Sequence, residues 1–84
     1  MKKTRPDIEY PCRWEYTIIG RSRLQIRGAV EAAVPRVDFD LVESHVSRGG
    51  KYCSMALLIE VEDQAERDRI FMTLREHPDV VMVI

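Results

Sequence analysis

A pair of glycines near the middle of the chain constrains its fold more than any other feature. Gly49 and Gly50 separate two runs rich in β-forming residues, 41–47 and 52–61. Adjacent glycines favour a tight β-hairpin, because both can adopt positive φ without steric cost. We therefore expect an antiparallel hairpin with these two glycines at its tip.

The register of this hairpin predicts which side chains share a face. The predicted pairs are Ser47 with Tyr52, Val46 with Cys53, His45 with Ser54, Ser44 with Met55 and Val42 with Leu57. Alternate side chains point to opposite faces of a strand, so this register gives one apolar and one mixed face. The apolar face would hold Val42, Val46, Cys53, Met55, Leu57, Ile59 and Val61. The mixed face would hold Leu41, Glu43, His45, Ser47, Tyr52, Ser54, Ala56, Leu58 and Glu60, as in a sheet that helices cover on one side.

A strand and a helix are predicted before the hairpin. Residues 12–19 alternate in a β-forming pattern, with Trp14, Tyr16 and Ile18 on the side of the helices. Ser22 and Gln25 have the spacing of a helix capping box. The helix that follows has one apolar stripe, which consists of Ile26, Ala29, Val30, Ala33 and Val34. Gly28 weakens this helix by about 1 kcal/mol relative to alanine, and its small size offers room for close packing.

A second helix and a last strand are predicted after the hairpin. Asp63 and Glu66 again have capping-box spacing, and His77-Pro78 ends the helix. The apolar stripe is Ile70, Phe71 and Leu74, together with the stem of Arg67, whose head should reach water. Residues 80–84 form the final strand.

The resulting order, β-α-β-β-α-β, is the ferredoxin-like pattern of the α+β class. It predicts a sandwich in which two helices cover one face of a four-stranded antiparallel sheet. With 84 residues there is room for one domain, which we assign to residues 12–84 after an N-terminal tail of residues 1–11.

Composition narrows the function classes. The formal net charge of −1 argues against a general nucleic-acid binder. There is no run of eighteen apolar residues, and no apolar stretch follows Met1-Lys2-Lys3, so we expect a cytoplasmic protein. Cys12 and Cys53 are far apart and lack metal-type spacing, which predicts neither a disulfide nor a metal site.

Several short motifs resemble the bacterial YbeD-like family. They are Tyr10-Pro11, the strand segment 16–20, the hairpin segment 47–54 with its Ser-x-x-Gly-x-Tyr-x-Ser pattern, and the apolar run 81–84. The resemblance implies a ferredoxin-like fold similar to ACT regulatory domains, in a cytoplasmic protein of uncharacterised biochemical function. It also implies the role in regulating lipoate metabolism that is attached to the family name.

The first candidate site is the loop after the first strand, Gly20-Arg21-Ser22-Arg23. Likeness to ACT domains implies a small effector near this loop. Free amides at a helix N-terminus and two arginines favour an anion, either a carboxylate or a phosphate. The plainer interpretation, a capped helix with solvated arginines, is preferred unless the surroundings are concave.

The second candidate is the open face of the sheet, which could bind a ligand, a protein partner or a second copy of the chain. It would hold Thr17, Ile19, His45, Tyr52, Ser54, Ala56 and Leu58. The plainer interpretation is a surface of scattered polar and apolar residues.

Catalysis is the less favoured class. His45, Ser54 and Tyr52 share a face, but no Gly-x-Ser-x-Gly elbow accompanies them. We therefore predict no catalytic residues, metal or cofactor, and a regulatory or interaction domain that is not an enzyme. The alternatives are a small enzyme using His45 or Cys12, and a nucleic-acid-binding ferredoxin-like domain.

Overall fold

Six secondary-structure elements follow one another in the predicted order within residues 8–35, 38–46 and 49–84, the part of the chain that the computed structural model describes. They are β1 (Cys12–Gly20), α1 (Arg23–Ala33), β2 (Phe39–Val46), β3 (Cys53–Val61), α2 (Gln64–Glu76) and β4 (Val80–Val83). The strands form one antiparallel sheet in the order β2-β3-β1-β4. The ferredoxin-like prediction is therefore confirmed. Among the described residues, neither helix is long and apolar enough to cross a membrane.

β1 is a central strand with unequal neighbours. It pairs with β3 along its whole length, from Cys12 opposite Val61 to Gly20 opposite Cys53. On its other edge it pairs with β4 only from Ile18 to Gly20, and Thr17 exchanges two backbone hydrogen bonds with Ile84. β1 thus extends several residues beyond the end of β4.

The helices cover one face of the sheet and build the core with it. Ser22 Oγ accepts a hydrogen bond from the Gln25 amide at 3.1 Å, and Asp63 Oδ1 accepts one from the Glu66 amide at 2.8 Å. Each cap contributes about 1 kcal/mol of stability. The predicted stripe of α1 is buried, and so are Ile70 and Leu74 of α2. On the sheet, the buried side chains are Tyr16, Ile18, Cys53, Met55, Leu57, Ile59, Val61, Val80 and Val83.

The glycine turn begins as predicted. Gly49 and Gly50 have φ of 87° and 73°, the left-handed region that a tight hairpin requires. His45 pairs with Ser54 and Val46 with Cys53, which confirms the start of the register. The predicted Ser47–Tyr52 pair lies outside the described residues, because Ser47 is not among them.

A β-bulge then shifts the register of β2. Ser44 is the extra residue, so that Glu43 lies opposite Met55 and Val42 opposite Ala56. The predicted pairs of Ser44 with Met55 and Val42 with Leu57 are therefore wrong. Because of this extra residue, the β2 side chains that precede Ser44 lie on the faces opposite to those predicted.

The bulge exchanges the positions of two apolar residues. Leu41 lies opposite Leu57 and packs against the core, whereas the predicted core residue Val42 is 50% exposed. Phe39, opposite Ile59, also packs against the core. The bulge therefore supplies the core with Phe39 and Leu41 and leaves Val42 on the open face.

Two glycines outside the turn have different roles. A Cβ on Gly20 would lie 2.7 Å from Ile26 Cγ1 and 3.2 Å from the Asp79 carbonyl oxygen. The end of β1 therefore permits α1 and the turn between α2 and β4 to approach closely. A Cβ on Gly28 would have nothing within 4 Å, so the close packing expected at that position is absent.

We expect the two glycines to respond in opposite directions to alanine. Gly28→Ala should raise the free energy of unfolding by about 1 kcal/mol, because Gly28 is exposed within α1. Gly20→Ala should lower it by about 1–3 kcal/mol, because Ile26 and the adjacent turn must move. Denaturant unfolding measures both values. A destabilised Gly28→Ala, or an unchanged Gly20→Ala, would contradict the packing described.

Candidate functional site

A polar groove lies beside the end of β1, at the loop predicted as a site. Its volume is about 360 Å³, and its walls come from the β1–α1 loop, α1, the turn between α2 and β4, and the start of β4. The lining residues are Arg21, Gln25, Pro78, Asp79, Val80 and Val81. The loop therefore has the concave surroundings that a ligand site needs.

The four predicted loop residues have separate roles. Arg21 is exposed and lines the groove. Gly20 is buried and permits the close approach, and Ser22 caps α1. Arg23 Nε lies 3.2 Å from Glu43 Oε2 on β2, and Arg23 does not line the groove. The sequence predicts that both arginines serve one anion, but in the structure they do not converge.

The groove also holds two polar side chains that the sequence interpretation missed. The sequence pattern indicates only a capping role for Gln25, and no local motif points to Asp79. The Asp79 amide donates a 3.0 Å hydrogen bond to His77 Nδ1, which fixes the turn that brings Asp79 to α1. A guanidinium, a carboxamide and a carboxylate therefore line one cavity, and together they can bind a small molecule with both an acidic and a basic group.

The open face of the sheet carries two rows of neighbouring side chains. Val42, Ala56 and Thr17 lie opposite one another across β2, β3 and β1. Ser54, Ile19 and Met82 form the next row across β3, β1 and β4. Val42 and Met82 are 50% and 52% exposed, and the β1 and β3 members are half-buried.

The predicted trio on this face is only partly described. His45 pairs with Ser54 through the backbone, but the role predicted for the His45 side chain lies outside the described part of the structure. Tyr52 precedes β3 and is 38% exposed. Within residues 8–35, 38–46 and 49–84, no group of three or more His, Cys, Asp or Glu side chains could hold a metal ion. Cys12 and Cys53 are both free thiols.

A second cavity of about 270 Å³ lies at the side of the molecule, and we call it the aromatic cleft. It is lined by Trp14, Tyr16, Arg67, Asp68, Phe71 and Ile84. The Arg67 guanidinium lies 4.5 Å from the centroid of the Trp14 ring, and its side chain is only 18% exposed. The Arg67 side chain is therefore mostly packed, with its guanidinium against the Trp14 ring in the wall of the cleft.

Tyr16 lies in the wall of the aromatic cleft. Its hydroxyl donates a 2.7 Å hydrogen bond to the carbonyl oxygen of Arg67. Burial raises the pKa of Tyr16 to about 12, against the opposing effect of the Arg67 charge. Tyr16 is therefore a neutral hydrogen-bond donor at physiological pH and ties β1 to α2.

Residues 5–84 match the family model described as a protein of unknown function, DUF493. The UPF0250 protein NE1487 of Nitrosomonas europaea is 30% identical over 81 residues, which cover 92% of this chain and 93% of that protein. A UPF0250 protein of Hahella chejuensis is 30% identical over 87 residues, which cover 99% and 96%. The chain belongs to this DUF493/UPF0250 family, and the resemblance to YbeD-like proteins is confirmed.

Solved structures agree with the fold. The solution structure of protein HP0495 from Helicobacter pylori matches with a TM-score of 0.81 at 28% identity, over 96% of this chain and 89% of that chain. A second solution structure of HP0495 matches with a TM-score of 0.65 at 25% identity, over 99% and 96%. The similarity establishes the ferredoxin-like fold and carries no activity with it.

Tyr16→Phe should flatten the loss of stability at alkaline pH. In the unfolded chain a tyrosine ionises near pH 10, whereas folded Tyr16 stays neutral until about pH 12. Its contribution is therefore fully present below pH 10 and disappears as the pH rises from 10 to 12. Denaturant unfolding between pH 8 and about 11.5 should show a steeper decline for the wild type. Parallel curves for the two proteins would contradict the burial of this hydroxyl.

Proposed function

We propose that this chain is a non-catalytic domain that binds a small carboxylate-bearing effector in the groove beside Arg21. The groove carries the proposal, because it places an exposed guanidinium in a cavity of about 360 Å³. Pockets that bind small metabolites begin at roughly this volume. Arg21 forms no ion pair with any described residue, so its charge is available to a ligand.

The other groove residues favour a ligand with two charges. The carboxylate would bind Arg21 beside the start of α1, where the helix dipole also favours an anion. A basic group on the same ligand would face Asp79, and Gln25 can donate to or accept from either end. α-Amino acids are the simplest molecules with this chemistry.

A regulatory role is consistent with this ligand class. The resemblance to ACT regulatory domains supports a small effector near the loop after β1. The lipoate link suggested by the family name would instead supply an acid without a basic group, which leaves Asp79 unused. We therefore place amino acids before lipoate-related acids as the effector.

The surroundings of the cysteines support a cytoplasmic, non-catalytic domain. Cys53 is buried in the core, and Cys12 is half-buried at the start of β1. Free thiols are usual in reducing compartments. A buried thiol in apolar surroundings is a poor nucleophile, so Cys53 is better suited to packing than to chemistry.

A second copy of the chain is the partner that we propose for the open face of the sheet. Val42, Leu58, Ile19 and Met82 lie on the face that no helix covers. A two-fold axis through this face would place the apolar rows of the two copies against each other. Near one end of the face, Arg13 pairs with Asp40 at 2.5 Å, and a neutralised arginine favours a protein contact over a phosphate contact.

Arg21→Ala should weaken effector binding, and Arg23→Ala should leave it unchanged. Of the two arginines, Arg21 lines the groove, whereas Arg23 is paired with Glu43 outside it. We would screen the twenty amino acids, lipoate and octanoate by thermal shift and measure each hit by calorimetry. Loss of a charge-assisted contact should weaken binding by roughly tenfold or more. Equal losses in both variants, or no hit with the wild type, would contradict the proposed site.

Met82→Lys should shift the chain toward the monomer at high protein concentration. A lysine at this position would introduce like charges into the apolar contact. Leu24→Lys is the matched control, because Leu24 is 83% exposed on α1. Sedimentation velocity over a range of concentrations measures the effect. A wild-type chain that is monomeric throughout would exclude this use of the open face.

A further inference from the structure

The outer edge of β1 and the aromatic cleft lie side by side where β4 ends. β1 spans nine residues and β4 only four. The last contact between β1 and the segment that contains β4 is a pair of backbone hydrogen bonds between Thr17 and Ile84, at 2.9 and 3.1 Å. Beyond this pair, residues 12–16 of β1 have β3 on one side and no described strand on the other.

The backbone groups on this edge have a defined direction. In an antiparallel ladder, every second residue directs its amide and carbonyl toward the same neighbour. Thr17 directs both groups toward Ile84, so Glu15 and Arg13 direct theirs toward the same edge, where no described residue pairs with them. An unpaired row of donors and acceptors on a strand is a template for another strand.

The aromatic cleft lies on the helix side of this edge. Trp14 and Tyr16 come from β1, and Arg67, Asp68 and Phe71 come from α2. With Ile84 as its end wall, the cleft takes up the space that a longer β4 would fill with side chains. Its volume of about 270 Å³ and its mainly apolar walls suit one or two apolar side chains.

We propose that this edge binds an extended peptide segment of a protein partner, added as an antiparallel strand that continues the line of β4. Peptides that join a sheet in this way gain affinity from backbone hydrogen bonds and specificity from pockets for alternate side chains. This surface is separate from the groove at Arg21, and the two share no lining residue.

The register gives the sequence pattern of the peptide. Residues opposite Tyr16 and Trp14 would direct their side chains to the helix face and into the cleft, so they should be apolar. The residue opposite Glu15 would lie on the open face beside an exposed carboxylate, so it should be basic. The segment is therefore apolar-basic-apolar.

A tethered strand provides the first test. Four residues added after Ile84 in the order leucine, lysine, valine, threonine would place the apolar pair opposite Tyr16 and Trp14. The order lysine, leucine, threonine, valine has the same composition with the faces exchanged. Only the first extension should raise Tm, and it should slow hydrogen exchange at the Glu15 and Arg13 amides by about tenfold or more. Equal Tm values with rapid exchange in both would overturn the proposal.

Free peptides test binding between molecules. The probe is an acetylated and amidated six-residue peptide with a central leucine-lysine-valine, titrated into the ¹⁵N-labelled wild-type chain. Shifts should concentrate at residues 13–16 and in α2. Glu15→Lys should weaken binding of this peptide, and a peptide with glutamate in place of lysine should recover it. Shifts elsewhere, or no effect of the charge exchange, would overturn the proposal.

Occupation of the edge by the chain's own first residues is the alternative that a deletion tests. Deletion of residues 1–7 should leave exchange at the Glu15 amide unchanged. If the deletion made a protected Glu15 amide exchange rapidly, the edge would be covered by the same chain, and the proposal of a partner peptide would be wrong.

Discussion

The close approach of α1 and the α2–β4 turn to Gly20 joins the two halves of this fold. Ile26 and the Asp79 carbonyl both lie where a side chain at this position would be. Ile26 is fully buried, so this contact fixes the depth of α1 on the sheet. It also brings Asp79 beside the start of α1, where the groove forms. The packing of α1 on the sheet and the formation of the groove therefore both depend on the absence of a side chain at Gly20.

The order and limits of the elements follow from local patterns in the sequence. Ser22 and Asp63 mark helix starts because their side chains bond amides only three residues away. Gly49 and Gly50 mark the turn because few other residues adopt positive φ there. These signals need no knowledge of the tertiary structure, and the prediction of the ferredoxin-like architecture rests on them.

The bulge in β2 carries no such signal. Leu41 and Val42 are both apolar, so either can be placed in the core by periodicity alone. In the structure Leu41 packs against the core, because the extra residue at Ser44 reverses the faces of the preceding β2 residues. The same reversal lets Glu43 reach Arg23, which lies on the helix side of the sheet. The register error and the Arg23–Glu43 contact therefore both follow from the bulge.

The candidate site could be predicted only in part for a similar reason. Arg21 was identified because it adjoins the helix start in the sequence. Asp79 reaches the groove through tertiary packing at Gly20, which no local motif encodes. The aromatic cleft likewise depends on how far β1 extends past β4. The groove and the aromatic cleft both depend on strand lengths and close tertiary contacts. Neither can therefore be predicted from local sequence patterns alone.

The most direct measurement is a two-dimensional ¹⁵N NMR titration of the wild-type chain with the amino acid that stabilises it most. Binding in the groove predicts saturable shifts in the amides of residues 21–25 and 78–81, and small changes on β2 and β3. Saturable shifts centred on the open face of the sheet, with the groove amides unmoved, would contradict the account.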